Sequence, residues 1–172
     1  MTVYLTAGRH PLIVKKLAWP DETATEAFAR TLAQSPALSN ALIELRGDLG
    51  AGKTTFTRHL LKSLGVPGRI KSPTYAVVET YTVADSGLDT QDNRELVISH
   101  FDFYRFNDPR EWEEAGFRDV FASPGLKLVE WPDKAGKHLP QPDLVIAIEM
   151  LADATRSVIL TAHTPTGSEL LK

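Results

Sequence analysis

The sequence predicts an α/β protein in which a central sheet of mixed parallel and antiparallel strands lies between layers of helices. Three observations support this prediction. Strand and helix patterns alternate through the first 65 residues, mostly strand patterns follow, and a glycine-crowded joint connects the second predicted strand to the second predicted helix. This order is typical of one sheet with helices on both of its faces, which makes three layers.

The first strand and helix precede the glycine-crowded joint. The segment HPLIVKKLA, residues 10–18, is short, apolar and branched, so it reads as a strand. Residues 20–36 read as a helix, with Asp21 or Thr23 near its N-terminal cap and small and apolar side chains on one face.

The second strand and helix flank the joint. The segment ALIELR, residues 41–46, is too short and too branched for a helix, so we predict a strand. A helix follows the joint and ends at Gly65. Its apolar stripe consists of Phe56, Leu60, Leu61 and Leu64.

The second half of the chain reads mostly as strands. Residues 84–95 are polar and rich in turn formers and read as a loop, as do residues 132–142. Residues 107–121 hold one or two short helices that begin with Asp108 as the cap and are interrupted near Gly116. The predicted strands cover residues 75–83, 96–104, 126–131, 143–151 and 156–164, and the last two form a terminal hairpin.

The glycine-crowded joint matches a phosphate-binding pattern. Gly47, Gly52, Lys53 and Thr54 fit G-x-x-x-x-G-K-[ST], between a predicted strand and a predicted helix. Glycine lets consecutive backbone N–H groups surround a phosphate, to which the positive end of the helix also points. Lys53 then serves the β- and γ-phosphates, and the Thr54 hydroxyl completes a Mg²⁺ shell. We therefore predict that a P-loop binds ATP or ADP through Gly47, Asp48, Leu49, Gly50, Ala51, Gly52, Lys53, Thr54 and Thr55.

Two acids stand at the carboxyl ends of predicted strands, where ligands bind in open α/β sheets. Asp102 ends LVISHFD, and Glu130 ends LKLVE. Mg²⁺ on a triphosphate is usually held by one or two carboxylates as well as by the phosphates. We predict Thr54, Asp102 and Glu130 as metal ligands. A solvated strand-end acid or a structural ion pair is the alternative for each carboxylate.

Three further side chains near these strands allow two interpretations each. Thr74, in the segment KSPTY, has the placement of a switch-loop threonine that senses ATP, but the same segment also reads as a plain turn. His100 reads more simply as a partly buried strand histidine. Arg105 fits a phosphate or partner contact and an ordinary surface ion pair equally well.

The composition excludes several classes of protein. The chain has 172 residues, the size of one domain, and no Cys, which excludes disulfides and thiolate metal sites and fits a reducing compartment. Its 19 basic and 22 acidic residues give a net charge of −3, which argues against a protein that wraps nucleic acid by itself. We find neither an apolar run long enough to span a membrane nor the apolar core of a signal peptide, so we expect a cytoplasmic location.

Five segments occur together and in this order: GDLGAGKTT, KSPTY, HFDFYR, EEAGFRD and LVEWP. Over about residues 20–150 this set resembles the TsaE (formerly YjeE) family, small bacterial P-loop ATPases of tRNA threonylcarbamoyladenosine biosynthesis. The resemblance implies a P-loop NTPase-like fold and a Mg²⁺-dependent ATPase that is weak alone. It also implies work with TsaD and TsaB, which modify the adenosine next to the anticodon, so that this protein supports turnover and meets tRNA only through the complex.

The resemblance also assigns roles to individual residues. The P-loop residues keep the roles given above. Asp102 becomes the Walker B-type acid, Glu130 a second acid at the metal, and Thr74 a catalytic residue of a switch-like loop. Trp131, directly after Glu130, is expected at the nucleotide.

The whole chain, residues 1–172, is expected to form a single P-loop ATPase domain, and it departs from the family in two places. Residues 84–95 make a longer loop than the family leads us to expect, and residues 1–11 look like an N-terminal extension. Neither segment overlaps a motif, so the departures concern contacts with partners rather than the ATP site.

Other functions remain open at this stage. A small-molecule P-loop kinase is the main alternative, but Arg105, Arg110 and Arg118 cluster only loosely and form no clear lid. A GTPase lacks support, because no Asn-Lys-x-Asp segment is present to read guanine. A binding module that holds ATP without hydrolysing it is a third alternative.

Overall fold

The computed structural model describes residues 2–7, 10–73, 76–84, 95–108 and 110–172. Its centre is an eight-stranded sheet with the order β1-β2-β8-β7-β3-β6-β5-β4. The strands are β1 (Thr2–Ala7), β2 (His10–Trp19), β3 (Leu42–Arg46), β4 (Val78–Ala84), β5 (Glu95–Asp102), β6 (Leu126–Glu130), β7 (Leu144–Met150) and β8 (Arg156–Ala162).

The sheet mixes both strand directions, which confirms the predicted fold class. Strand β3 pairs in parallel with β6 on one side and β7 on the other, and β5 joins β6 in parallel. The outer pairs β4–β5, β7–β8, β2–β8 and β1–β2 are antiparallel. Because β3, β5, β6 and β7 share one direction, their carboxyl ends meet at the same edge of the sheet.

Six helices accompany the sheet in the described part of the chain. They are α1 (Glu22–Ala33), α2 (Lys53–Ser63), α3 (Arg110–Glu114), α4 (Phe117–Ala122), α5 (Pro132–Ala135) and α6 (Pro165–Leu170), with 3₁₀ turns over Pro36–Asn40 and Gly136–His138. None of these helices is long and apolar enough to cross a lipid bilayer. Helix α1 begins at an N-cap formed by Asp21, as one of the two sequence candidates predicts.

The two faces of the sheet bury separate apolar clusters. Neighbouring residues of one strand alternate between them, as Leu128 and Val129 of β6 do, because successive side chains of a strand point to opposite faces. The larger cluster contains Trp19, Phe56 and the apolar faces of α1 and α2. The smaller cluster is aromatic and includes Phe103 and Trp112. Helical segments therefore pack on both sides, which makes the predicted three layers.

Several segments differ from the sequence prediction. Thr2–Ala7 of the expected N-terminal extension form an edge strand, because their backbone pairs with β2. The expected loop over 132–142 contains α5 and a 3₁₀ turn, since Pro132 fixes a helical first turn. The strand expected over residues 75–83 begins at Val78. Residues 74–75 lie outside the described residues. Residues 85–94 of the expected loop lie outside them too.

The end of the chain holds a helix that we did not predict. The hairpin strand expected over 156–164 ends at Ala162, and α6 follows. The Thr164 hydroxyl caps α6 by accepting a hydrogen bond from the Gly167 N–H at 3.1 Å, and Pro165 occupies the first turn. Threonine followed by proline is a helix-start signal in its own right, so this element was visible in the sequence.

Candidate functional site

The P-loop joins the end of β3 to the start of α2, and two of its glycines are required by geometry. Gly47 has φ +141°, and a Cβ atom there would lie 2.2 Å from the Ile148 carbonyl oxygen, so a larger residue would collide with β7. Gly52 has φ +116° and forms the N-cap of α2. Glycine adopts such positive φ values at little cost, which lets the chain turn sharply from strand to helix.

The N-terminus of α2 begins at Gly52, which provides no side-chain cap. Gly52 has no side chain to accept a hydrogen bond, and the first turn of α2 contains no acidic residue. The first N–H groups of a helix have no partner within the helix, and its N-terminus carries a partial positive charge. Both features favour an anion, so the P-loop is suited to bind phosphate.

The Lys53 side chain folds back over the loop that precedes it. Its Nζ donates hydrogen bonds to the carbonyl oxygens of Gly47 at 2.6 Å and Asp48 at 2.8 Å, and it lies 4.0 Å from the centroid of the Trp131 ring. An ammonium has three donors, so these two bonds leave one for a phosphate oxygen. Burial lowers the pKa of Lys53, whereas the carboxylates of Glu130, Asp102 and Asp48 act in the opposite direction.

Asp102 and Glu130 lie side by side at the carboxyl ends of β5 and β6, where they are partners in the parallel register. Both are buried, with 9% and 1% of their surface exposed. The Thr54 hydroxyl donates a hydrogen bond to Glu130 Oε2 at 2.9 Å. The P-loop threonine is thus bonded directly to one of the two predicted acids at the carboxyl-end edge of the sheet.

Each acid is held in place by neighbours whose contacts the sequence analysis missed. His100 is fully buried, and its Nε2 lies 2.9 Å from Glu130 Oε1. Ser72 donates its hydroxyl to Asp102 Oδ2 at 2.7 Å, and the Tyr104 N–H donates to Asp102 Oδ1 at 3.0 Å. One signal was available for His100. It precedes Asp102 by two residues on the same strand and therefore faces the same side of the sheet.

These groups surround one open cleft of about 310 Å³. Most of the predicted P-loop residues, both acids and Trp131 line the cleft. Trp131 is half-buried and is the N-cap residue of α5, with a φ of +57°. Thr74 lies outside the described residues, so its role stays a prediction. The lining residues are Leu49, Gly50, Gly52, Lys53, Thr54, Thr55, Ser72, Asp102, Tyr104, Arg105, Glu130 and Trp131.

The remaining P-loop predictions concern backbone. Gly47 and Asp48 contact Lys53 through their carbonyl oxygens, and Ala51 is buried. The Asp48 carbonyl also accepts a hydrogen bond from the Ala51 N–H at 3.1 Å, which tightens the loop. These three positions shape the cleft rather than line it with side chains, and their roles toward a nucleotide stay predictions.

Comparison with protein families gives a match over most of the chain. The family described as "Threonylcarbamoyl adenosine biosynthesis protein TsaE" matches residues 19–158. The matched segment includes β3, the P-loop, α2 and both strand-end acids. It excludes β1 and α6, the elements at the two ends of the chain.

Individual relatives agree with the family match. The chain is 38% identical to the tRNA threonylcarbamoyladenosine biosynthesis protein TsaE of Haemophilus influenzae, a match that covers 88% of this chain and 92% of the relative. It is 35% identical to the protein of the same name from Bacillus subtilis, with 87% of each chain covered. Among solved structures, Bacillus subtilis YdiB matches with a TM-score of 0.70 and 29% identity over 94% of each chain.

Proposed function

This chain belongs to the TsaE family of threonylcarbamoyl adenosine biosynthesis proteins, and from that premise we propose that it binds ATP with Mg²⁺ at its P-loop and hydrolyses the nucleotide. Its place is in the biosynthesis of threonylcarbamoyladenosine in tRNA, as the names of its relatives indicate. The observation that carries the ATPase proposal is the hydrogen bond between Thr54 and Glu130 beside the uncapped N-terminus of α2.

The donor atoms of the cleft fit Mg²⁺. The Thr54 hydroxyl and the carboxylates of Asp102 and Glu130 are hard oxygen ligands, the kind that Mg²⁺ prefers. No group of three or more His, Cys, Asp or Glu side chains suited to a metal occurs among the described residues. Mg²⁺ usually binds through only one or two carboxylates, keeps several waters and shares its shell with substrate phosphates. When bound, Mg²⁺ neutralises charge that develops on the phosphoryl oxygens.

The chain's own groups orient the phosphates. The amide N–H groups at the start of α2 donate hydrogen bonds to the phosphate oxygens, and Lys53 contributes its remaining donor and its charge. The open helix terminus and the lysine thus hold the triphosphate at the edge of the sheet where both acids end. Phosphoryl transfer depends mainly on such positioning and on electrostatic stabilisation.

Each of the two acids is held in position by its own set of neighbours. Glu130 is tied to Thr54 and His100, which keeps its carboxylate fixed at the metal position. Asp102 is held through both oxygens by Ser72 and the Tyr104 N–H, so its orientation is fixed as well. We assign both carboxylates to Mg²⁺, with Asp102 as the Walker B-type acid and Glu130 as the second acid at the metal. Thr74 follows Ser72 closely along the chain and is proposed to sense the γ-phosphate.

We further propose that the protein acts in the cytoplasm with TsaD and TsaB and meets tRNA only through them. A net charge of −3 gives the chain no evident means to hold tRNA alone, because phosphate contacts usually provide that affinity. Coupling requires that the ATP and ADP states bind the partners with different affinities, and linkage makes this effect reciprocal. A tenfold difference, about 1.4 kcal/mol, is within the usual range of coupling energies.

The test is reconstitution with TsaB, TsaD, tRNA and labelled threonine, scored by modified tRNA over many cycles with and without ATP. We expect sustained modification only with this protein and ATP together, and a loss of turnover with Lys53→Ala. Modification that cycles normally without this protein would refute the partner role. If ATP is instead consumed only when a small-molecule acceptor is present, and that acceptor becomes phosphorylated, the kinase alternative is correct.

A further inference from the structure

Two further cavities adjoin each other at helix α4. One has a volume of about 370 Å³ and the other of about 250 Å³. Phe121, Ala122 and Pro140 line both cavities, and we call the two together the α4 groove. Among the described residues, none that lines the groove also lines the P-loop cleft. The groove is therefore a separate feature of the molecule, and its occupant does not depend on the function proposed for the cleft.

The α4 groove lies away from the edge of the sheet that carries the P-loop. Its smaller cavity reaches the starts of three parallel strands. Leu42 is the first residue of β3, Lys127 is the second residue of β6, and Asp143 directly precedes β7. The P-loop cleft instead lies at the carboxyl ends of these strands. A molecule in the groove would thus leave the cleft open to its own ligand.

Basic side chains dominate the α4 groove, although the chain as a whole has a net charge of −3. Arg118, Lys137 and His138 line the larger cavity, and no acid is present among its described lining residues. None of these three forms an ion pair with an acid in the described part of the chain. In the smaller cavity, both carboxylate oxygens of Asp143 already accept hydrogen bonds. The groove therefore has basic groups without matching negative charge.

Lys127 is the most buried of these basic side chains. It is 5% exposed, and its Nζ donates a hydrogen bond to the Ser123 carbonyl oxygen. An ammonium has three donors, so this bond leaves two. Burial lowers the pKa of Lys127, because the ammonium has lost water and has no carboxylate partner within the described residues. A buried charge is costly unless it is paired, so a carboxylate supplied from outside would relieve this cost.

We propose that the α4 groove binds an acidic segment of a partner protein, with one carboxylate at Lys127 and others at the basic side chains of the larger cavity. The middle of the groove is apolar, since Phe121, Ala122 and Pro140 form the wall that the two cavities share. Positive charge at both ends and an apolar middle match a peptide in which acidic residues flank an apolar one. Complementary charge of this kind selects partners and sets their register.

Two features favour a peptide over a nucleic acid. Lys127 is reached most readily by a compact carboxylate on a flexible side chain, because only 5% of the lysine is exposed. Trp112, the largest aromatic residue that lines the groove, is 3% exposed and offers little ring surface to a base. Proteins that bind single-stranded nucleic acids usually stack the bases on accessible aromatic rings.

The experiment screens the full-length chain against short synthetic peptides in which one Leu, Ile, Val or Phe is flanked on both sides by Asp or Glu. A second library has the same sequences with Asn and Gln in place of the acids. The tightest binder is then titrated by fluorescence anisotropy. We expect binding from the acidic library and none from the amide library. If no acidic peptide binds the wild-type protein, the proposal is wrong.

Lys127→Gln tests the buried end of the groove. Glutamine keeps a donor for the Ser123 carbonyl oxygen but removes the charge. Loss of a hydrogen bond between charged groups predicts that the acidic peptide binds about 10- to 150-fold more weakly. Thermal unfolding checks that the variant folds.

The double variant Arg118→Glu/Lys137→Glu tests the other end at two exposed positions, so it keeps the test decisive even where Lys127→Gln does not fold. Two attractive charge pairs become repulsive, which predicts a loss of peptide affinity of roughly tenfold or more. The matched control is Lys62→Glu/Arg69→Glu, which makes the same change in net charge at exposed positions outside the groove and should bind the peptide normally. Equal affinity of the wild type and the groove variants would place the peptide elsewhere and overturn the proposal.

Two more titrations complete the test. A fluorescent single-stranded RNA should not bind in the groove. Binding of that RNA, abolished by Arg118→Glu/Lys137→Glu, would identify a nucleic-acid site and overturn the peptide proposal. Every groove variant should bind Mg-tripolyphosphate, which carries the phosphates of ATP without its nucleoside, as the wild type does. A wild-type protein that binds the acidic peptide but not tripolyphosphate would contradict the function proposed for the P-loop and leave the groove assignment intact.

Discussion

Helices α1 and α2 pack against each other through Phe28 and Phe56, yet their N-termini are built in opposite ways. Helix α1 begins with Asp21, whose carboxylate accepts the Ala24 N–H at 2.9 Å, and Glu22 adds a negative charge in the first turn. Helix α2 begins with Gly52, which offers no cap, and its first residue is the cation Lys53.

The difference shows where the protein leaves room for an outside anion. A carboxylate at a helix N-terminus satisfies orphan N–H groups and the partial positive charge, whereas a lysine there is unfavourable. The N-terminus of helix α1 therefore has its cap and its negative charge from its own residues. Helix α2 combines an N-cap glycine with an added positive charge, and under the proposed function a polyphosphate supplies the missing negative charge.

The largest expected effect concerns the acids that face the open end of α2. Asp102→Asn and Glu130→Gln keep the shape of each side chain but remove its charge. Loss of a metal contact worth about 4 kcal/mol in the transition state should slow hydrolysis roughly a thousandfold, as measured by single-turnover phosphate release.

Asp133→Asn is the matched control for these acids, because the Asp133 side chain is 80% exposed and pairs only with Arg46 in the described part of the chain. It should hydrolyse ATP at the wild-type rate. Normal hydrolysis by Glu130→Gln across a Mg²⁺ titration would reduce Glu130 to a structural acid that anchors Thr54 and His100.

The next effect tests the cation at the open terminus. An ammonium a few Å from phosphate contributes roughly 2–4 kcal/mol at an effective dielectric near 20. Lys53→Ala should therefore weaken Mg-ATP binding about 30- to 700-fold in calorimetric titration. Lys62→Ala, in the exposed last turn of the same helix, removes the same charge far from the site and should bind normally. An unchanged affinity in a folded Lys53→Ala protein would refute the P-loop assignment.

The smallest effect tests the closed terminus. Asp21→Ala removes the cap of α1 and should lower the free energy of unfolding by about 1 kcal/mol, measured by chemical denaturation. Asp21→Ser keeps a capping oxygen and should remain close to wild type. Binding of Mg-tripolyphosphate should be unaffected by either change. A marked loss of tripolyphosphate affinity in Asp21→Ala would mean that the two termini are not independent.

The sequence predicted the parts of this site that depend on local pattern. The glycines, Lys53 and Thr54 follow one another along the chain, and the strand-end positions of Asp102 and Glu130 follow from strand patterns. The fold class followed from the order of those patterns. Asp21 was visible as a cap because capping involves neighbours in the sequence.

What the sequence did not predict depends on contacts between distant segments. The bond from Thr54 to Glu130 spans 76 positions, and the contact of His100 with Glu130 joins two neighbouring strands. The register of β5 and β6 brings His100 to Glu130, whereas Thr54 reaches Glu130 from the start of α2. The edge strand β1 was missed for a similar reason. Its strand conformation depends on hydrogen bonds with the backbone of β2 rather than on a distinctive pattern in its own sequence.

The most direct test of the contrast between the two helix termini is an amide NMR titration of the ¹⁵N-labelled protein with Mg-tripolyphosphate. This ligand has no base, so it reports on anion binding alone. We predict large shifts for the amides of residues 50–55 and little change at residues 22–25, where Asp21 already satisfies the helix. Shifts of similar size at both termini, or none at residues 50–55 under saturating ligand, would contradict the account.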